Sequence, residues 1–378
     1  MTNPLRDLEA AGQAVWLDYL HRRILENGEL QRLIDEDGLK GLTSNPSIFE
    51  KAIGDGDAYD DRLKALTRHG DAPEALYERL AIADIQRAAD IFRPTWDRLG
   101  GRDGYVSLEV SPGLAMDTEG TVAEARRLWR AVDRPNLMIK VPGTAPGTPA
   151  IRQLIGEGIN VNVTLLFGVG AYLDVAEAHM AGLEMLKAAG GDLSRVHGVA
   201  SFFVSRIDTR IDGAIDARLK AGAQGEEAER LGRLRGKVAI ANARSAYQRY
   251  LELIASPRWR ALAAAGAAPQ RLLWASTGVK DPAYPDTLYA DALIGADTID
   301  TLPPATIDAF RDHGKVSPSL TEGVAEAEHD LAEAQHLGLD LDAVTDALVV
   351  DGVRLFAEAF DKLLAAVAAK SRRMAGAA

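Results

Sequence analysis

The sequence predicts a single (β/α)8 barrel of the TIM type, enlarged by additional helices that include its C-terminal end. Two observations lead there. Over 378 residues, eight short apolar segments alternate with segments whose apolar residues recur at helical spacing. No Gly/Ser-rich linker divides them, so one domain is expected over 1–378, with a frayed tail from 371. A doubly wound sheet would show the same alternation, but no G-x-G-x-x-G lies between a strand and a helix.

In chain order, 5–11 reads as a short helix before a first strand at 14–19, where Ala14, Val15, Trp16 and Leu17 form an apolar run. A helix follows over 21–34, because Ile24, Leu25, Leu30, Leu33 and Ile34 share one stripe. The second strand, 38–46, stops at Pro46, which has no N–H to give. Short helices are expected over 47–54 and 59–68, then a longer one over 73–99 with Leu76, Leu80, Ile85 and Phe92 on its apolar face. Strand three, 105–110, ends at Ser111, Pro112 and Gly113. A helix over 121–132 has Thr121 as its cap and Glu124 in the capping-box position.

Strand four is the run Leu137, Met138, Ile139, Lys140, Val141, and Pro149 opens the helix after it, where a missing N–H costs little. Strand five at 158–165, a helix over 168–189 and strand six at 195–201 come next. The longest connection then holds helices over 204–221, 226–254 and 257–265. Strand seven at 270–276, a short helix at 289–293 and strand eight at 297–302 complete the barrel. Helices over 306–311, 319–336 and 341–370 close the chain.

Composition narrows the chemistry. A hydrophobic content of 47% is globular, and no apolar run reaches the roughly 18 residues a membrane span needs. With no cysteine, disulfides, thiolate catalysis and cysteine-held metals are excluded. His69, His197 and His313 lie in separate segments without ligand spacing, so no metal is expected. The first residues include Asp7 and no apolar h-region, so no signal peptide is read and the cytoplasm is the expected compartment. A net charge of −12 argues against nucleic acid as a partner. An anionic substrate would therefore need a local basic pocket.

Lys140 interrupts its apolar strand. Burial disfavours the charged form of a lysine, and a neutral amine in a dry pocket attacks carbonyl carbon. A lysine snorkelling from an edge strand is the alternative for this residue alone. Strand parity favours the first reading, because successive residues of a barrel strand face the interior and the helix layer in turn. Glu109 shares a face with Ser107, Lys140 with Met138, Asn162 and Thr164 with Asn160, and Asp18 with Trp16. Asn45 pairs with Thr43, Ser201 with Val199, and Ser276 with Trp274. The last inward residue of most strands is thus polar and lies at the C-terminal end, where barrels of this fold build active sites.

Two stretches resemble the signatures of transaldolases. Leu42, Thr43, Ser44, Asn45, Pro46, Ser47, Ile48 and Phe49 match the first, a T-[ST]-N-P-[STA] core followed by two apolar residues. Leu137 to Thr144, continuing through Gly147 and Ile151, is similar to the second, which surrounds a Schiff-base lysine about 90 residues later. The likeness extends through Trp16 to Asp18, Ser107 to Val110, Asn162 to Phe167, Ser201 to Arg206, Trp274 to Thr277 and Pro303 to Thr306. It implies a cofactor-free transferase of the pentose phosphate pathway. Such an enzyme moves a dihydroxyacetone unit from sedoheptulose 7-phosphate to glyceraldehyde 3-phosphate, giving erythrose 4-phosphate and fructose 6-phosphate.

Carried over by motif position, the resemblance implies that Lys140 forms the imine and Asp18 is the base on the C4 hydroxyl. Glu109 would move protons through a water held by Thr164. Asn45, Asn162 and Ser201 would hold the hydroxyls of the three-carbon fragment, and Phe203 would be an apolar wall. Arg206, near a helix start, would take the phosphate, unless it pairs with Asp208 or Asp212 on the helix surface. Ser276 and Lys280 are the other phosphate candidates. The best-known family pattern has an Arg in that loop, and Lys280 is a point charge without its fork. Sugar phosphates are the expected partners, with the chain a monomer or homodimer. A fructose 6-phosphate aldolase-like Schiff-base aldolase and a non-catalytic sugar-phosphate-binding barrel are the alternatives.

Overall fold

A computed structural model describes residues 3–54, 56–67 and 71–375. Eight parallel strands close a barrel in sequence order: β1 (Gln13–Leu17), β2 (Gly41–Leu42), β3 (Tyr105–Glu109), β4 (Leu137–Pro142), β5 (Val161–Leu166), β6 (Gly198–Phe203), β7 (Arg271–Ala275) and β8 (Thr298–Leu302). Closure comes from β1 against β8, with Gln13 opposite Thr298 and Leu17 opposite Leu302. The expected fold is therefore the observed one, with helices layered outside.

Register explains which residues face inward. Glu109 lies opposite Lys140, and Lys140 opposite Asn162, so these polar residues share the interior face of three neighbouring strands. The alternate positions Leu108, Ile139 and Val163 are buried against the helices. Burying an aliphatic side chain of that size contributes about 1.5–3 kcal/mol. The interior is plugged at the N-terminal end, where Trp16 donates through Nε1 to Asp103 (3.1 Å) and Arg271 donates to both Asp103 oxygens (2.9 and 3.2 Å). That buried ion pair is tolerated because its donors and acceptors are matched.

Strand seven corrects one expectation. Ser201 lies opposite Leu273 and Phe202 opposite Trp274, so Trp274 belongs to the helix-facing set, edge-on to the Phe202 ring at 6.1 Å. Ser276 does not share its face by simple alternation. It follows the strand in a left-handed conformation (φ +56°), and that turn redirects it.

Other differences have local causes. The helix expected over 21–34 is split into Arg22–Glu26 and Glu29–Asp37 at Gly28, whose φ of +83° no helix accommodates. Gly236 (φ +66°) likewise divides 226–254 into Gly225–Leu234 and Val238–Ala255. The helix expected from Thr121 begins at Thr118, capped by Asp117 accepting from Gly120 N at 3.0 Å. Thr121 instead donates to Leu114 O (2.9 Å), and Glu124 accepts from Ser111 N (3.1 Å). Strand two is two residues long, and Thr43, Ser44 and Asn45 follow it toward the site. Arg68, at the end of the helix expected over 59–68, and His69 lie outside the described residues.

The C-terminal helix Leu341–Ala375 runs through residues 371–375, and 376–378 lie outside the described residues. It packs on the helix Pro46–Gly54 and crosses the C-terminal end of the barrel. Lys370 anchors it, donating to Gly56 O (2.5 Å) and Asp60 (3.1 Å). Among the described residues no helix is long and apolar enough to cross a membrane.

Candidate active site

A cavity of about 600 Å³ opens at the C-terminal end of the barrel, lined by Asp18, Asn45, Lys140, Ser201, Phe203, Arg206, Ser276 and Lys280 among others. These residues come from strand ends far apart in sequence, and strand parity brings them together. Glu109, Asn162 and Thr164 stand just behind this lining, on β3 and β5.

Lys140 reaches in from β4, its Nζ 3.4 Å from Glu109 Oε2 and donating to Ser44 O at 3.2 Å. Both side chains are nearly closed to solvent, at 5% and 4% exposure. Burial pushes the Glu109 carboxyl up to about 6, against the downward pull of Lys140. A carboxyl there can give and take protons near neutral pH. Beside Glu109 lies a small cavity of about 30 Å³, bounded by Asn45, Tyr77, Glu124 and Phe360, with room for a water.

Asn162 is fixed from both sides. Its Nδ2 donates to Ser107 Oγ (3.0 Å), and its Oδ1 accepts from Ser201 Oγ (2.7 Å). The Thr164 hydroxyl is buried with no partner among the described residues. Leaving such a group unsatisfied costs about 1–3 kcal/mol, so it is suited to hold something that enters the site.

Asp18, at the end of β1, accepts from Thr43 Oγ1 (2.7 Å), which also meets Thr301 Oγ1 at 2.8 Å. Burial raises the Asp18 carboxyl, and Lys140 and Thr43 work against that rise. Asn45 turns its Oδ1 back onto Ile48 N (3.0 Å) at the start of the helix Pro46–Gly54. Its amide nitrogen is thereby left for the cavity.

The far end of the cavity is basic. Arg206 lies in the first turn of the helix Ser205–Lys220, its guanidinium over the Phe203 ring at 5.3 Å. It does not pair with Asp208 or Asp212. Asp208 accepts from Ala239 N (2.8 Å) and Tyr289 Oη (3.0 Å), and Asp212 from Tyr284 Oη (2.8 Å) and Gly236 N (3.2 Å). Ser276 Oγ meets Ser205 Oγ at 3.0 Å, and exposed Lys280 and Lys51 also line the cavity. The local basic pocket required by the acidic chain is present.

Sequence reasoning placed Thr43 on the inward face but gave it no role, and it passed over Thr301, which lies at an inward position that parity could have identified. It also missed Phe356, whose ring centroid lies 5.9 Å from Lys140 Nζ. No strand pattern points to that residue, because it arrives on the C-terminal helix. No group of His, Asp and Glu able to hold a metal occurs among the described residues.

A closed β/α barrel with an inward lysine, flanking carboxylates and a basic far wall defines the class of lysine-based aldol enzymes acting on anionic sugars. The chain belongs to the transaldolase/fructose-6-phosphate aldolase family, whose model matches residues 15–367. It is 49% identical over 366 residues to Transaldolase 2 of Nostoc sp., covering 96% of each chain. It is also 50% identical over 365 residues to the Transaldolase of Thiobacillus denitrificans, covering 97% of this chain and 99% of that one.

Proposed function

We propose that the protein transfers a dihydroxyacetone unit from sedoheptulose 7-phosphate to glyceraldehyde 3-phosphate through an imine on Lys140. The observation that carries this reading is the register of Glu109, Lys140 and Asn162 on three adjacent strands, facing a cavity closed by Asp18 and Arg206.

Lys140 adds to C2 of the ketose, and the resulting carbinolamine loses water as Glu109 supplies and removes protons with a water held by Thr164. The iminium draws electrons from the C3–C4 bond while Asp18 takes the proton of the C4 hydroxyl, and the shortened aldehyde leaves. Asn45, Asn162 and Ser201 orient the enamine that remains, so the acceptor aldehyde meets it already aligned. Phe203 forms an apolar wall. Arg206, Ser276 and Lys280 hold the phosphate, with Arg206 the main contact. The chain acts as a monomer or a homodimer.

Borohydride reduction in the presence of fructose 6-phosphate, followed by peptide mass spectrometry, tests the imine. The expected result is one adduct, on Lys140; an adduct on another lysine, or none, refutes the mechanism and leaves the barrel a sugar-phosphate binder. The aldolase alternative is tested by product formation from fructose 6-phosphate with and without erythrose 4-phosphate. Turnover should depend on the acceptor, and equal rates without it would favour the aldolase.

A further inference from the structure

We propose that Phe356, delivered by the C-terminal helix, decides whether the enamine on Lys140 is passed to an acceptor or lost to water. This inference rests on the reading of Lys140 as the imine-forming residue.

The polar neighbours of Lys140 are barrel groups, Ser44 O and Glu109. Phe356 is of a different kind. It is 5% exposed, lines the same cavity, and places its ring centroid 5.9 Å from Lys140 Nζ. It is therefore an apolar cover over the reacting nitrogen, supplied by an element outside the barrel.

The helix that carries it is seated on both sides of Phe356. One turn earlier, Gly352 rests on Leu165, where an added Cβ would lie 2.8 Å from Leu165 Cδ2. Leu165 itself is left-handed (φ +60°), at the irregularity of β5 between Val163 and Leu166. Such a conformation costs a β-strand residue energy and is held only where its surroundings fix it. One turn later, Phe360 packs edge-on against Tyr77 at 5.6 Å, and Tyr77 against Phe49 at 5.6 Å. The glycine and the turned leucine let the helix come close enough for Phe356 to cover the amine.

The enamine has two fates. Its nucleophilic carbon can bond to the acceptor carbonyl carbon, whose oxygen takes a proton. Alternatively that carbon takes a proton from solvent, one water adds across the C=N bond, and the Lys140 amine leaves as free dihydroxyacetone departs. Both routes end with hydrolysis of an imine, but only the second protonates the enamine carbon. Excluding water at that step favours transfer.

The experiment is the ratio of dihydroxyacetone release to transfer in Phe356→Ala, Phe356→Leu and Gly352→Ala, each with borohydride trapping on Lys140. The ratio should rise about tenfold in Phe356→Ala, less in Phe356→Leu, and also in Gly352→Ala, where the helix is lifted. A merely structural role would lower both rates together and leave the ratio unchanged. An unchanged ratio in variants that still form the Lys140 adduct overturns this inference alone. Failure of the parent protein to form that adduct overturns the reading of the site, and this inference with it.

Discussion

Glu109 and Lys140 face one another across β3 and β4, with Oε2 and Nζ 3.4 Å apart in a site both strands close from solvent. Burial holds the Glu109 carboxyl up at about 6. As pH falls through that value the carboxylate becomes protonated and can no longer accept a proton, so kcat/KM should fall on the acid side with a midpoint near 6. Glu109→Gln should lower kcat by about 10²–10⁴-fold. Rate profiles of parent and variant between acid and neutral pH check both points. Persistence of the same acid limb in Glu109→Gln would assign the titration to another group.

Arg206 is held over Phe203 without a carboxylate partner among the described residues, which leaves its guanidinium for an anion. Charge-assisted bonds are worth about 1.5–3 kcal/mol. Arg206→Ala should therefore raise KM for a phosphorylated ketose about 10–100-fold, with a smaller effect on kcat. Lys280→Ala should act in the same direction but more weakly, because Lys280 is exposed and offers a point charge. Steady-state constants for both variants decide the ranking, and a larger loss from Lys280→Ala would reverse the assignment.

How much of this site could be read in advance follows from period and register. Asp18, Lys140 and Ser201 were legible because a barrel strand repeats every two residues and its last inward position falls at the active end. The rule failed where the backbone departs from that period. Trp274 faces the helices, and Ser276 reaches the cavity only through its left-handed turn. Phe356 was illegible for another reason. Its place over Lys140 depends on how a distant helix packs, and helical spacing shows only that one face of the helix is apolar. The shortness of the second strand was hidden as well, because the hydroxyls of Thr43 and Ser44 that follow it turn to Asp18 and Ser107 O, contacts between distant segments that no local pattern shows.

Gly41 illustrates a constraint at the other end of the barrel. A Cβ built there would lie 2.4 Å from the Trp16 ring, which is itself fully buried and bonded to Asp103. Neither the indole nor the strand can move without disturbing that plug. Gly41→Ala should cost about 1–3 kcal/mol by overpacking. Its urea midpoint should drop while the slope of the transition stays the same. A variant as stable as the parent would mean that Trp16 has room to shift.

Asp300, on β8, titrates far from the usual range. Burial raises its carboxyl to about 8, and the hydrogen bond from Thr277 Oγ1 at 2.9 Å opposes that rise only in part. Its other oxygen has no partner among the described residues. Below the ordinary carboxylate pKa of about 4 the group is protonated in both folded and unfolded chains, and it adds no pH dependence. Between there and about 8 the folded chain keeps a proton that the unfolded chain releases. Stability contributed by this group therefore falls as pH rises, by about 1.4 kcal/mol per pH unit, until the folded carboxyl also ionises. Asparagine keeps an acceptor for Thr277 and never carries the charge. Asp300→Asn should thus gain on the parent progressively from acid pH toward pH 8. Denaturant midpoints of the two proteins across that range test the prediction, and a difference that does not change with pH would show that Asp300 is already ionised in the folded protein.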